Sequence, residues 1–314
     1  MKNFDSFDKQ KYDWENMNDA ETLAALLADG GRDAVKRIGE LRGVNYRVCR
    51  PHGDTEVRVM TMNVLYVWCD ERHHDPHRTK YGRRMERTAD CINVYMPDFV
   101  GLQECHAINR SELTPCLNGV YKYVEFDAPK MNTDFIPILY RSDVWQVEKN
   151  GTGEYPSVDC PWGYVWTTFS RITNPDMKFT MMNLHFALES TTKENYPVNQ
   201  LRYPLAEEIN RMIRRQLYER PKVPIAITGD YNTGRDSELY EMMIKDLPME
   251  DAPLLTEDRN MSEEEARRQI DHITVTKDLI DIYDYRKLDY YPDHAVSDHP
   301  YFMVDIRYHK KKIT

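Results

Sequence analysis

The chain has 314 residues, 41% of them hydrophobic, which is enough apolar material for a substantial core and excludes wholesale disorder, while the length admits one large domain or two ordinary ones. Its 42 Lys and Arg against 52 Asp and Glu give a formal net charge of −10, so the surface as a whole repels polyanions and anionic membranes. No stretch approaches the ~20 apolar residues of a membrane span, and the polar start "MKNFDSFDKQKYDWEN" is unlike a secretory signal, so the expected location is the cytoplasm. The six cysteines are scattered without a Cys-x-x-Cys pair, which argues for free thiols over a disulfide framework or a zinc–thiolate site.

In chain order, "NDAETLAALLADGG" comes first, with a capping-box spacing from Asn18 to Glu21, apolar Leu23, Leu26 and Leu27, and a Gly30-Gly31 stop. "DAVKRIGELRG" follows with Ala34, Val35, Ile38 and Leu41 on one face and Gly43 at the C-terminal position. Residues 18–43 therefore read as a helical pair within an N-terminal extension, 1–52, and the larger domain is expected over 53–314. From about residue 56 short apolar runs alternate with loops and amphipathic helices: "EVRVMTMNVL", "DFVGLQE", "FIPILYR", "KFTMMNLHF", "PIAITGD", "IDHITVT" and "YFMVDIRY". Helices are expected at 79–96, carrying Met85, Ala89 and Ile92, and at 198–218, carrying Leu201, Leu205, Ile209, Ile213 and Leu217. This is an α/β pattern.

Polar residues of one kind recur at the ends of these runs. Asn63, Glu104, Asn183, His185, Asp230 and Asn232 lie within or just beyond an apolar run, and Asp298 and His299 lie just before one. Each alone reads as a turn former or surface residue. Strand ends gathered on one edge of a sheet, however, hold sequence-distant side chains on a rigid platform, as a hard divalent cation with several oxygen ligands requires. The pattern points to a carboxylate-rich metal centre with histidines beside it.

"TMNVL", "PDFVGLQE", "MNLHF", "GDYNT", "IDHI" and "VSDHPYFMVDI", in that order over residues 56–308, resemble the successive motifs of the endonuclease/exonuclease/phosphatase superfamily. A calcineurin-like alternative also uses a Gly-Asp segment, but its Asp-x-His and Gly-Asn-His-Glu motifs are missing. The resemblance implies a four-layer α/β/β/α sandwich of two packed, mainly antiparallel sheets flanked by helices, with Mg²⁺ or Mn²⁺ at one end. It further implies that Glu104 is the principal metal ligand, with Asn63 beside it and Asp298 near the metal. Asp230 and Asn232 would orient the attacking water and the phosphate, His299 would contact phosphate or water with Asp271 holding its ring, and His185 would face the phosphate from the other side. Glu154 in "GEYP" is the expected partner of His185, and Asn183 a substrate contact.

Several charged stretches have an ordinary reading. "CDERHHDPH", 69–77, reads as a solvated loop in preference to a second metal site. "RTKYGRRMER", 78–87, reads as a solvated helix face or a phosphate clamp, with Arg84 the residue expected to contact substrate. His272 alternates with Asp271 along its strand and is expected to point away from the site. The leading expectation is a metal-dependent phosphodiesterase acting by in-line attack of water. A phosphomonoesterase of a small molecule, a nuclease, which the net charge does not favour, and a non-catalytic binding domain are the alternatives.

Overall fold

The computed structural model describes residues 55–66, 84–127, 130–154, 162–188, 192–193, 196–288 and 297–309. The N-terminal extension with its expected helical pair, and the "CDERHHDPH" loop, lie outside the described residues.

Fourteen strands and six α-helices are described. The first half runs β1 (Glu56–Asn63), α1 (Arg84–Tyr95), β2 (Phe99–Gln103), α2 (Ala107–Leu113), β3 (Tyr121–Tyr123), α3 (Met131–Phe135), β4 (Ile138–Arg141), β5 (Trp145–Glu154), β6 (Gly163–Arg171) and β7 (Asn174–His185). The second runs β8 (Thr192–Lys193), β9 (Tyr196–Pro197), α4 (Val198–Glu219), β10 (Ile225–Asp230), α5 (Glu238–Ile244), β11 (Met249–Asp251), α6 (Glu263–Arg268), β12 (Asp271–Thr276), β13 (Ile280–Leu288) and β14 (Tyr301–Tyr308). One six-stranded sheet has the order β13-β14-β1-β2-β4-β3 and the other β11-β12-β10-β7-β6-β5. Within each sheet only the central pair, β1 with β2 and β10 with β7, is parallel, so both sheets are mainly antiparallel as expected.

Period-2 alternation assigns each strand residue to a layer. Val57 and Val59 of β1, Phe99 of β2, Phe179 and Met181 of β7, Ala226 of β10, Ile273 and Val275 of β12, and Phe302 and Val304 of β14 share the core between the sheets. The intervening residues face outward. Met60, Met62 and Leu102 pack under Met85, Ala89 and Ile92 of α1, and Leu184, Ile225 and Ile227 pack under Leu205, Ile209 and Ile213 of α4. Helix, sheet, sheet and helix thus form four layers, with α1 burying Met85, Ala89 and Ile92 and α4 burying Leu205, Ile209 and Ile213, as the sequence periodicity led one to expect. Following the same alternation, Asn63, Asn183, His185, Asp230 and Asp271 stand on inner faces, all at one end of the sandwich.

A buried polar cluster fastens the two sheets just beneath that end. The Asn183 amide nitrogen donates to the Leu102 and Ile136 carbonyls at 2.7 and 3.0 Å, while its oxygen accepts from Gln103 Nε2 at 2.7 Å and Thr228 Oγ1 at 3.0 Å. Gly101 leaves the room for it: a Cβ there would stand 2.0 Å from Thr228 Oγ1 and 2.5 Å from Asn183 Oδ1. Asn183 was expected to touch substrate, but at 0% exposure it is an inter-sheet clamp out of a ligand's reach. Asn183→Ala strands several buried donors and acceptors, so unfolding free energy measured in urea should fall by about 3 kcal/mol or more.

Candidate active site

Beyond the clamp, β1, β2, β7 and β10 finish together and β12 begins. Asp230 closes β10 in register with His185 of the parallel neighbour β7 and with Asp271 of the antiparallel neighbour β12. Gly229 is required one position earlier, because a Cβ there would lie 2.4 Å from the Leu184 carbonyl oxygen of β7. Asn63 extends from β1 across the sheet gap and donates through Nδ2 to Glu104 Oε1 and Asp230 Oδ2, both at 3.1 Å. Its Oδ1 accepts the Leu65 N–H at 3.0 Å, which fixes the amide in that orientation. Asn63 was expected beside a cation as a ligand. Placed this way it offers N–H groups toward the carboxylates, and its oxygen is engaged by the backbone.

Glu104 lies just past β2 with φ 59° and Asn232 just past β10 with φ 50°, both in the left-handed region. A non-glycine residue there costs of order 1 kcal/mol or more, and such strain gathers where a side chain must be aimed. Glu104 Oε2 also accepts the Tyr66 N–H at 2.9 Å. Asn232 donates its own N–H to Asp230 Oδ1 at 2.9 Å and its carboxamide N–H to the Phe186 carbonyl at 2.7 Å.

Asp230 is the hub. Its Oδ2 is 3.4 Å from His185 Nε2 and 3.9 Å from His299 Nε2. A carboxylate oxygen only accepts, so the His185 proton belongs on Nε2, and the Asn232 amide nitrogen, also 3.4 Å from Nε2, packs against it. The His185 ring stacks on Phe135 with centroids 5.8 Å apart. Among the described residues its Nδ1 has no hydrogen-bond partner. Glu154, expected there, ends β5 opposite Gly163, which is itself opposite His185, but its side chain lies outside the described residues.

His299 Nδ1 is 2.8 Å from Asp271 Oδ2, the pairing expected from the sequence. Burial by itself would lower the His299 pKa, but the Asp271 hydrogen bond and the charges of Asp271, Asp230 and Asp298 outweigh it and push it up to about 9. Burial likewise opposes protonation of His185, and the Asp230 hydrogen bond and charge, with that of Glu104, override it and raise the pKa. Asp230 is buried too, which works to raise it, yet His185, His299 and the Asn232 N–H hold it below the usual carboxylate value. Asp271 goes the other way: burial lifts it to about 6 despite His299, and the Asp230 charge adds to the rise. The outcome is a buried anion between two imidazoles inclined to carry charge.

Two groups bring potential ligand atoms within 4.8 Å of one another: Glu104, His185 and Asp230, and Asp230, Asp271 and His299. Asp298 belongs to neither. It is exposed, and its Oδ1 accepts from the Ser297 hydroxyl at 3.3 Å in the bend that precedes β14. A cleft of about 570 Å³ lined by Asp271, Asp298, His299, Ser262, Glu265 and Lys287 opens this flank to solvent. Arg84 is also elsewhere than expected: it is buried and donates through Nη1 to the Val64 and Leu65 carbonyls, holding the turn that presents Asn63 and Tyr66. His272 points away from the site, as expected, and bonds Asp251. Sequence reasoning missed Phe135, at the end of α3 and stacked on His185, and Tyr66, whose ring is 5.8 Å from that of Phe135, since lone aromatic residues read as ordinary core.

No protein-family profile and no curated protein matches the chain by sequence. Solved structures do match in shape. An endonuclease/exonuclease/phosphatase family protein from Bacteroides thetaiotaomicron superposes with a TM-score of 0.65 at 18% identity, over 83% of this chain and 98% of that one. A mannosyl-6-phosphatase from the same organism gives 0.63 at 18% identity over 80% and 99%, and the human Nocturnin catalytic domain with bound sulfate gives 0.61 at 16% over 81% and 94%. By these matches and its two packed six-stranded sheets, the protein has the fold of the endonuclease/exonuclease/phosphatase family.

Proposed function

We propose that the protein is a metal-dependent phosphoester hydrolase, with phosphodiesters as its leading substrate class. The observation that carries this reading is Asp230, ionised and buried, facing both His185 and His299 while sharing the Asn63 amide with Glu104. The donor set fits a hard cation: two carboxylates on one amide nitrogen, with an imidazole alongside, concentrate negative charge that a divalent ion relieves. Glu104 and Asp230 would hold it, and Mg²⁺ or Mn²⁺ suits oxygen donors of this kind. When bound, the ion supplies charge neutralisation for an anionic ester. Asp230 orients the attacking water, Asn232 and His185 face the phosphate from one side, and the His299 imidazolium donates to a phosphate oxygen from the other. Asp271 keeps that imidazolium charged and its ring in place. Arg84 and Asn183 support the site through the backbone and the sheet clamp and leave the substrate to these groups. A cytoplasmic location is part of this reading; no described helix is long and apolar enough to cross a membrane.

The monoester alternative has one specific support, the structural neighbour named a mannosyl-6-phosphatase. Incubation with bis(p-nitrophenyl) phosphate, p-nitrophenyl phosphate, hexose phosphates and an oligonucleotide, each with Mg²⁺ or Mn²⁺ and again with EDTA, separates the readings. Metal-dependent release from a diester, abolished by chelator, is expected. Release confined to monoesters selects the alternative, and no release from any probe removes the hydrolase reading.

The His299–Asp271 pair makes a further prediction. A folded pKa of about 9 means that the stability His299 contributes is complete below its unfolded value, ~6.5, and is lost as pH rises through about 9. Asp271→Asn removes the leading cause of the rise while burial remains. An NMR titration of the metal-free protein should therefore move the His299 midpoint to lower pH in this variant. A midpoint unchanged from wild type would show that Asp271 does not control the ring.

A further inference from the structure

Two buried side chains to which the site has so far given no role converge on the turn after Asp230. Arg202, on α4 and 5% exposed, donates through Nη2 to the Asn232 carbonyl at 3.1 Å and reaches the Tyr231 carbonyl at 3.4 Å. His272, on β12 and fully buried, places Nε2 2.9 Å from the Thr233 carbonyl. The Thr233 carbonyl and the Asp251 carboxylate oxygen, 2.8 Å from Nδ1, both only accept, so His272 carries a proton on each ring nitrogen, as its raised pKa allows, and Asp251 orients the ring. Three successive carbonyls, those of residues 231, 232 and 233, thus each face a side-chain N–H from an element outside the turn.

The pattern has a physical reason. With φ at 50°, Asn232 turns the chain sharply and directs its carboxamide to Phe186 and His185, which leaves the carbonyls around it without sheet partners. Buried carbonyls need donors, and a strained residue keeps its conformation only where its surroundings over-determine it. Both conditions are met here by Arg202 and His272. We infer that Arg202 and His272 are positioning residues that act through Asn232, clamping the 231–233 backbone from opposite sides so that the carboxamide stays beside His185. The inference rests on the reading of His185 and Asn232 as parts of a phosphoester site.

The test uses the full chain labelled with ¹⁵N-asparagine, with the Asn232 backbone and side-chain signals identified by their loss in Asn232→Ser. Arg202→Met should shift the Asn232 signals and lower kcat on bis(p-nitrophenyl) phosphate with Mn²⁺ by roughly 10²-fold, the scale of an ångström-sized misplacement, with KM little changed. Arg202→Lys, which retains a donor, should recover most of that loss, and His272→Gln should shift the same signals. In an Asn232→Ala background Arg202→Met should cost nothing further, whereas a purely structural role would cost the same in both backgrounds. Should Arg202→Met not fold, Arg202→Gln, too short to span both carbonyls, takes its place with the same expectations. Unmoved Asn232 signals in the Arg202 and His272 variants, or losses that multiply with Asn232→Ala, overturn the inference. Shifted signals in a protein whose wild type hydrolyses none of the probes support the clamp and overturn the phosphoester reading instead.

Discussion

His185→Ala and His299→Ala should each lower kcat by roughly 10²- to 10⁴-fold, the usual worth of a positioned acid–base group. The two imidazoles approach one carboxylate oxygen, Asp230 Oδ2, at 3.4 and 3.9 Å, so they serve a single transition state. Their losses should not multiply: once one ring is gone the phosphate is no longer held between them, and the double variant should fall short of the product of the single effects. Stability should change far less. Removing the His299 ring leaves Asp271 without its partner, but that carboxyl, already lifted to about 6, can take up a proton instead of remaining a buried charge. Thermal melts alongside kcat distinguish the two effects. Full turnover in either single variant, on a substrate that wild type cleaves only with metal, would place the chemistry elsewhere.

Glu104→Gln should weaken Mg²⁺ or Mn²⁺ binding and reduce turnover by ~10²-fold or more, because it removes one of the two carboxylates facing the Asn63 amide while keeping the side chain's length. The loss has two parts. Glu104 accepts from Asn63 with one oxygen and from the Tyr66 N–H with the other, at 3.1 and 2.9 Å. A carboxamide has only one oxygen, so one of these donors would meet an NH₂ group, and the turn carrying Tyr66 should loosen as well. Calorimetric titration with either cation reads the first part directly. Metal affinity equal to that of wild type would take Glu104 out of the ligand set.

Much of this arrangement was legible because strand periodicity does two things at once. It builds the core between the sheets, and it places a polar residue at the end of an apolar run on the same inner face, as with Asn63 after Val57 and Val59 or Asp230 after Ala226. Asp271 and His272 were separated by the same rule. Asp298 is beyond the rule's reach, because it lies in a bend ahead of β14, where no strand pattern sets the direction of a side chain. Asn183 misled for a related reason: the residue two before His185 shares its face but lies deeper, where a polar side chain bonds the opposite sheet. Strands β5, β6 and β13 were not anticipated. β5 and β13 are edge strands with exposed charges, and β6 buries Thr167, Thr168 and Ser170, so no apolar run marks it. Arg84 and Arg202 were beyond a pattern reading, because an arginine that satisfies a buried carbonyl is written in the same letter as one that faces water.

β1 lies between β2 and β14 in its sheet, and on the β14 side Glu56 stands opposite Arg307, with the Arg307 guanidinium on the Glu56 carboxylate across 251 positions of sequence. Strand pairing of such long range is slow to find and cannot begin before both partners exist. During synthesis β1 emerges early and must wait, one edge unpaired, until almost the whole described chain has left the ribosome. His299 stands two residues ahead of β14, so its ring meets Asp271 and Asp230 only when that last strand inserts. Closing the sheet and arming the site are therefore one late event, and a nascent chain stopped before Tyr301 has made His299 but not the strand that seats its ring against the carboxylates.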